Sequence, residues 1–210
     1  MLKNIFTILL LLIIGNSCYA QRNSAGQIFS YFKKGVGISF LSPINANDSG
    51  VRAGFHLGFA PSFPLGENTI LKPELAFSMK GGKAGYNPSN LGVFDGDITY
   101  KINYLELPVV VGYKIGRLFQ IEAGAYGALP VGTSFDFDGQ FVAGYGSFDK
   151  DDIHDFDYGL IGGIKIGPLG IRYYHGLTTV AATDISEVFL GDASQYTVQI
   201  YFQRSKNRGF

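Results

Sequence analysis

The chain has 210 residues, with 17 Lys and Arg against 17 Asp and Glu, so its formal net charge is zero and a basic nucleic-acid binder is excluded. Charged residues make up 16 %, against roughly 25 % in an ordinary soluble domain, while 29 Gly, 13 Tyr and 18 Phe stand out. Such a composition excludes disorder, and it excludes a mainly helical fold, because each glycine in a helix interior costs about 1 kcal/mol.

In chain order, the first element is an export signal. Lys3 precedes an apolar run from Ile5 to Ile14, broken only by Thr7, and Cys18-Tyr19-Ala20 puts small residues where a signal peptidase cuts. Residues 1–20 are therefore expected to be a signal peptide, with 21–32 an N-terminal periplasmic segment. The alternative is a lipoprotein signal acylated on Cys18, against which Gly15 stands where an aliphatic residue is preferred. The apolar run is about half the ~20 residues of a spanning helix, and no later segment supplies one. Cleavage after Ala20 would remove Cys18, the single cysteine, leaving no disulfide and no thiolate ligand. An exported chain of this kind either stays soluble or crosses the outer membrane as strands.

From residue 33 to 204 the sequence alternates with period two. Val36, Ile38 and Phe40 share a face. Val51, Ala53, Phe55, Leu57 and Phe59 interleave with Arg52, Gly54, His56 and Gly58. Leu71, Pro73, Leu75, Phe77 and Met79 interleave with Lys72, Glu74, Ala76, Ser78 and Lys80. Leu105, Leu107, Val109, Val111 and Tyr113 oppose Glu106, Pro108, Val110, Gly112 and Lys114. Ile121, Ala123, Ala125 and Leu129 oppose Gln120, Glu122, Gly124, Tyr126 and Ala128. Three further segments follow, through Phe156–Ile166, Leu169–Tyr174 and Tyr196–Phe202. The spacing predicts eight strands, several about 10 residues or longer, as a tilted membrane strand requires. Links are short at Gly116-Arg117, at Gly167-Pro168 and from Pro61 to Asn68, and long after Gly81, Gly132 and Leu177. That sorting predicts an all-β fold: an eight-stranded antiparallel up-and-down transmembrane barrel with short periplasmic turns and long extracellular loops. Both termini then lie on the periplasmic side, and residues 205–210 form a tail ending in Phe210, an aromatic C-terminus similar to a barrel-assembly signal.

Alternation leaves two arrangements open. A lipocalin-like soluble barrel hides the apolar face, whereas a membrane barrel turns it to lipid. Low charge and the glycine- and tyrosine-rich polar face favour the second. Phe40, Phe59, Tyr104, Tyr113, Phe119, Phe156, Tyr158, Tyr196 and Phe202 then mark interfacial girdles. The lumen receives Arg52, Lys72, Lys80, Lys114, Lys165 and Arg172, balanced by Glu74, Glu106, Glu122, Asp155 and Asp157, with His56 between them. Eight strands leave room only for side chains, so a self-neutralising plug is expected, a proton or ion path is the alternative, and a large pore is excluded.

The run Asn103-Tyr104-Leu105-Glu106-Leu107-Pro108 resembles a signature of the PorT-like outer-membrane β-barrel family. Leu71-Lys72-Pro73-Glu74-Leu75, Ile121-Glu122-Ala123-Gly124-Ala125-Tyr126, Phe156-Asp157-Tyr158-Gly159-Leu160 and Arg172-Tyr173-Tyr174-His175-Gly176-Leu177 are similar to it too, in the same order. The resemblance spans roughly residues 33–203. It implies an eight-stranded barrel of the Gram-negative envelope, in a family some of whose members are associated with type IX secretion, and it carries over no catalytic residue.

Chemical motifs are few. Asp136, Asp138, Asp149, Asp151, Asp152, Asp155 and Asp157, opposed by Lys150, are expected in and around the third long loop. Their spacing is not that of an EF-hand, so a solvated acidic loop is expected, with weak Ca²⁺ binding as the alternative. His56, His154 and His175 form no HExxH pattern, although His154, Asp155 and a serine could meet in space. Gly159, Gly162 and Gly163 suit curvature in a narrow barrel rather than a phosphate loop. No catalytic, cofactor-binding or metal residue is assigned, and neither a cofactor nor an enzymatic activity is expected. The expected role is structural or accessory in the cell envelope. Its alternatives are an accessory part in protein secretion or transport and, further off, a surface lipid- or glycan-modifying enzyme. The expected partners are outer-membrane lipid, the barrel-assembly machinery during insertion, and other envelope or secretion proteins.

Overall fold

The computed structural model describes residues 31–42, 46–87, 94–141 and 152–203. The elements are β1 (Phe32–Ser42), β2 (Asp48–Gly50), β3 (Arg52–Phe59), β4 (Phe63–Pro64), β5 (Thr69–Pro73), β6 (Leu75–Tyr86), β7 (Phe94–Ile115), β8 (Phe119–Phe141), β9 (Asp157–Ile166), β10 (Leu169–Thr179), α1 (Asp184–Leu190) and β11 (Ser194–Gln203). No helix among the described residues is long and apolar enough to cross a membrane.

Consecutive long strands pair antiparallel, and β1 pairs with β11, from Lys33 opposite Gln203 to Ser42 opposite Ser194. The order β1, β3, β6, β7, β8, β9, β10, β11 therefore closes on itself as an eight-strand ring. β2 continues β3 on the far side of Val51, and β5 precedes β6 across Glu74. Closure gives the spanning strands hydrogen-bond partners on both sides, which a bilayer core demands of any backbone.

Which face is outside is settled by burial. Val36, Ile38, Phe55, Leu57, Leu107, Val109, Val111, Ile121, Leu160, Ile164, Ile171 and Ile200 are all 39–62 % exposed, whereas Lys33, Lys80 and Arg172 are 0 % exposed. A belt of that size facing water would far exceed the apolar patches soluble proteins tolerate. The lipocalin-like arrangement is overturned: hydrocarbon faces outward and charge faces the axis. Aromatic clusters ride on the outward face, with Phe40 stacked on Tyr196 at 5.4 Å and Phe32 edge-on to Phe59 at 6.0 Å.

Three features depart from the sequence reading. β7 and β8 run for 22 and 23 residues, about twice what a tilted strand needs to span the membrane. Much of what reads as long loop is thus an outer extension of the sheet, Phe94–Asn103 against Gly132–Phe141. A bulge separates it from the spanning part, since Tyr104 pairs with Pro130 and Asn103 with Gly132, leaving Val131 as an extra residue. The extra residue changes the phase of β8. Leu129 points outward below it, whereas above it Asp136 and Asp138 point outward and Phe135 and Phe137 turn toward the core cluster.

The second departure is α1, unforeseen within the β10–β11 link because it is only 7 residues long. Thr183 caps it, accepting from the Ser186 backbone N–H while the Ser186 side chain accepts from the cap in return. The third concerns single positions. Tyr104 is not a girdle residue, since it is fully buried in the lumen. Lys114 and Asp155 are exposed rather than lumenal, because they sit at the rims: Lys114 beside the β7–β8 turn, Asp155 before β9 begins. Asp136 and Asp138 belong to strand β8 and not to a loop. The expected signal peptide, Asp149, Lys150, Asp151 and Phe210 lie outside the described residues.

Candidate functional site

The lumen is filled in three layers, each assembled from inward positions of several strands. The periplasmic layer centres on Arg172 of β10. Its Nε donates to Glu122 Oε2 at 2.6 Å, its Nη1 to Glu74 Oε2 at 2.9 Å, and its Nη2 lies 2.8 Å from Glu74 Oε1. Lys33 Nζ donates to Glu74 Oε2 at 2.5 Å, and Lys72 Nζ to Glu122 Oε1 at 2.6 Å. Gln120 Nε2 and the Tyr201 hydroxyl complete the shell of Glu122 at 2.7 and 2.8 Å. Burying isolated charges would be prohibitive, so each carboxylate here is bracketed by two cations in a water-poor interior. Lys33 was missed by the strand reading that began at Val36. Continuing the same alternation back through Gly35 would have found it.

Two glycines make this layer possible by close approach. A Cβ on Gly170 would lie 2.3 Å from the Tyr201 ring, and one on Gly35 would lie 2.4 Å from the His56 ring. Their rings thus lie over neighbouring strands where any larger residue would block them.

The middle layer is built on Lys80 of β6. Its ammonium lies 2.5 Å from Glu106 Oε1, and Ser78 Oγ donates to Glu106 Oε2 at 2.8 Å. Around it stand the rings of Tyr126, Tyr174 and Tyr104, with centroids 4.7, 5.0 and 5.4 Å from Nζ. Three aromatic faces stabilise the cation through their quadrupoles where water cannot reach. Asp157, at the start of β9, accepts from Thr178 Oγ1 at 2.5 Å and from the Tyr126 hydroxyl at 3.1 Å. The Arg52 side chain reaches the Lys80 carbonyl.

The outer layer is apolar. Phe189 and Leu190 of α1 pack with Leu41, Tyr86, Ile98, Tyr100, Val180 and Ala193, all buried. The Tyr86 hydroxyl donates to the Phe189 carbonyl at 2.9 Å and shares a 2.9 Å hydrogen bond with the Tyr100 hydroxyl. α1 thus seals the outer mouth over an interior already filled by ion pairs.

The other candidate residues do not converge. His56 is buried in the lumen with neither ring nitrogen hydrogen-bonded. His175 lies edge-on to Tyr196 at 4.9 Å among the outward-facing aromatics, and His154 is exposed at the outer rim. The carboxylates read as one acidic loop are dispersed: Asp136 pairs with Lys101, Asp152 accepts from Thr183 Oγ1 at 2.7 Å, and Asp157 is lumenal. Among the described residues no group of three metal-ligating side chains forms.

Comparison with known proteins places this architecture. The crystal structure of Ail, the attachment invasion locus protein of Yersinia pestis, solved with the heparin analogue sucrose octasulfate, is 10 % identical. The match covers 81 % of this chain and 93 % of that one with a TM-score of 0.40. Neisserial surface protein A is 11 % identical, with 82 % and 96 % covered and a TM-score of 0.39. At that distance both are likenesses in outline and say nothing of ligands. No curated protein matches the chain. The family comparison is more direct: residues 19–182 match the outer membrane protein beta-barrel domain, and with its lipid-facing belt and closed ring the chain belongs to that family of outer-membrane β-barrels.

Proposed function

We propose that the protein has a structural or accessory role in the envelope, contacting other components through its outer extension and passing no solute through its axis. One observation carries this reading: the lumen is occupied from the Lys72–Glu122 layer up to Phe189 and Leu190 of α1. The test is single-channel recording of the purified barrel in planar bilayers. No stepwise current is expected, and sustained conductance in the parent protein would overturn the reading.

A narrower assignment to the PorT-like barrels, with an accessory part in type IX-like secretion, is favoured by the Asn103–Pro108 run. Glu106 of that run is the carboxylate paired with Lys80, and the Pro108 carbonyl accepts from the Glu74 N–H at 2.7 Å. Both contacts are architectural, so the secretion role needs its own test. Deletion should impair export of secreted proteins, and the barrel should co-purify with secretion components from solubilised envelopes. Normal export would remove it.

A further inference from the structure

We propose that the periplasmic mouth of the barrel binds a phosphate group between Lys165 of β9 and Lys114 of β7. Lys165 is 5 % exposed and points inward, since its neighbours Ile164 and Ile166 are exposed on the lipid face. It pairs across strands with Gln120 of β8, which pairs with Lys114. Three consecutive strands thus place Lys114, Gln120 and Lys165 in one cross-strand row, Gln120 and Lys165 buried and Lys114 exposed at the rim, two residues above the Gly167-Pro168 turn.

Charge bookkeeping singles out this lysine. Lys33, Lys72, Lys80 and Arg172 are each held by a carboxylate. Among the described residues, Lys165 is the buried lysine with neither an ion pair nor a hydrogen bond. The charges that act on it most strongly are Lys72, Glu122, Arg172 and Lys114, three cations against one carboxylate. Glu122 has no capacity left, because Lys72, Gln120, Arg172 and Tyr201 already donate to its two oxygens. Arg117 in the β7–β8 turn adds further positive charge at the rim. An uncompensated ammonium among cations, one step inside the periplasmic rim, matches an anionic phosphate group with several acceptor oxygens. Such a group could arrive as soluble phosphate or as a phospholipid headgroup of the inner leaflet.

The test uses the full mature chain in a zwitterionic detergent, titrated with inorganic phosphate against sodium chloride of matched ionic strength. The ³¹P line width and the thermal midpoint are read together. Saturable broadening and a raised midpoint are expected with phosphate alone. Lys165→Gln should weaken binding at least tenfold and Lys114→Gln severalfold, while Lys101→Gln, at the outer extension, changes nothing. Lys165→Met should also melt higher than the parent in phosphate-free buffer, because it removes the unpaired charge. The unboiled gel shift verifies folding of each variant. Repeating the titration in nanodiscs separates the sources: phosphatidylglycerol that blocks phosphate, with phosphatidylcholine not doing so, identifies a headgroup site. Equal binding in both identifies a site for soluble anions. Absence of saturable binding in the parent, or undiminished binding in both lysine variants, overturns the proposal.

Discussion

Replacing Arg172 by Met is the most informative perturbation of the lumen. The guanidinium makes two contacts to Glu74, at 2.8 and 2.9 Å, and one to Glu122 at 2.6 Å, and lies 4.8 Å from the Tyr201 ring centroid. Each hydrogen bond to a charged group contributes about 1.5–3 kcal/mol, so the gross loss is several kcal/mol. Part is offset, because Met needs no desolvation and each carboxylate keeps one lysine, Lys33 or Lys72. The expected net loss is about 4 kcal/mol, the range found when one partner of a buried pair is removed. The chain contains no Trp, so unfolding is best followed by the unboiled gel shift across a urea series rather than by indole fluorescence. With a urea dependence of about 2 kcal/mol per molar, the midpoint should fall by about 2 M. Adding Glu74→Gln and Glu122→Gln to Arg172→Met should lower the midpoint further, because Lys33 and Lys72 then lose the carboxylates that hold them. A midpoint within about 0.3 M of the parent, or a triple variant as stable as the single one, would refute the ion-pair account.

Other outcomes follow from the same geometry. Lys80→Met should cost about 3 kcal/mol by stranding Glu106, and Glu106→Gln in the same chain should restore part of it in the urea series. Gly170→Ala should destabilise by about 1–3 kcal/mol, since the new methyl meets the Tyr201 ring, and shortening Tyr201 to Leu should relieve it. Asp97 and Asp138 face each other across β7 and β8, both exposed, so Asp138→Asn should raise stability by a few tenths of a kcal/mol, an effect that added salt erases. Thr183→Ala should cost α1 about 1 kcal/mol and increase chymotrypsin cleavage at Phe189 and Leu190; cleavage equal to the parent's would show that the cap does not depend on this box.

What was legible in the sequence is what period two encodes. Each of the eight strands emerged from alternation alone, and the inward placement of Lys72, Glu74, Lys80, Glu106, Glu122, Lys165 and Arg172 from alternation together with the low charge and the glycine- and tyrosine-rich polar face. Their pairing did not, because Arg172 joins Glu74 across 98 positions of chain and no local pattern records which inward residues share a layer. Tyr104 read as a girdle aromatic because tyrosine suits both an interface and a crowded polar lumen, and only the parity of Leu105 and Leu107 decides between them. α1 escaped because its signal is a capping box, not a hydrophobic period. The upper halves of β7 and β8 read as loop because their outward positions are polar, Asp97, Thr99 and Lys101 on β7 and Asp136 and Asp138 on β8, so the greasy belt ends while the hydrogen-bond ladder continues.

That continuation turns on Val131. One supernumerary residue lets a single ribbon serve two solvents: hydrocarbon on its flank up to Leu129, brine on the same flank from Asp136 upward. Moving that insertion outward past Asp138 would leave every backbone bond possible while turning Asp136 and Asp138 to the axis and Phe135 and Phe137 outward. Its position therefore acts as a waterline, telling the cylinder how deep to sit.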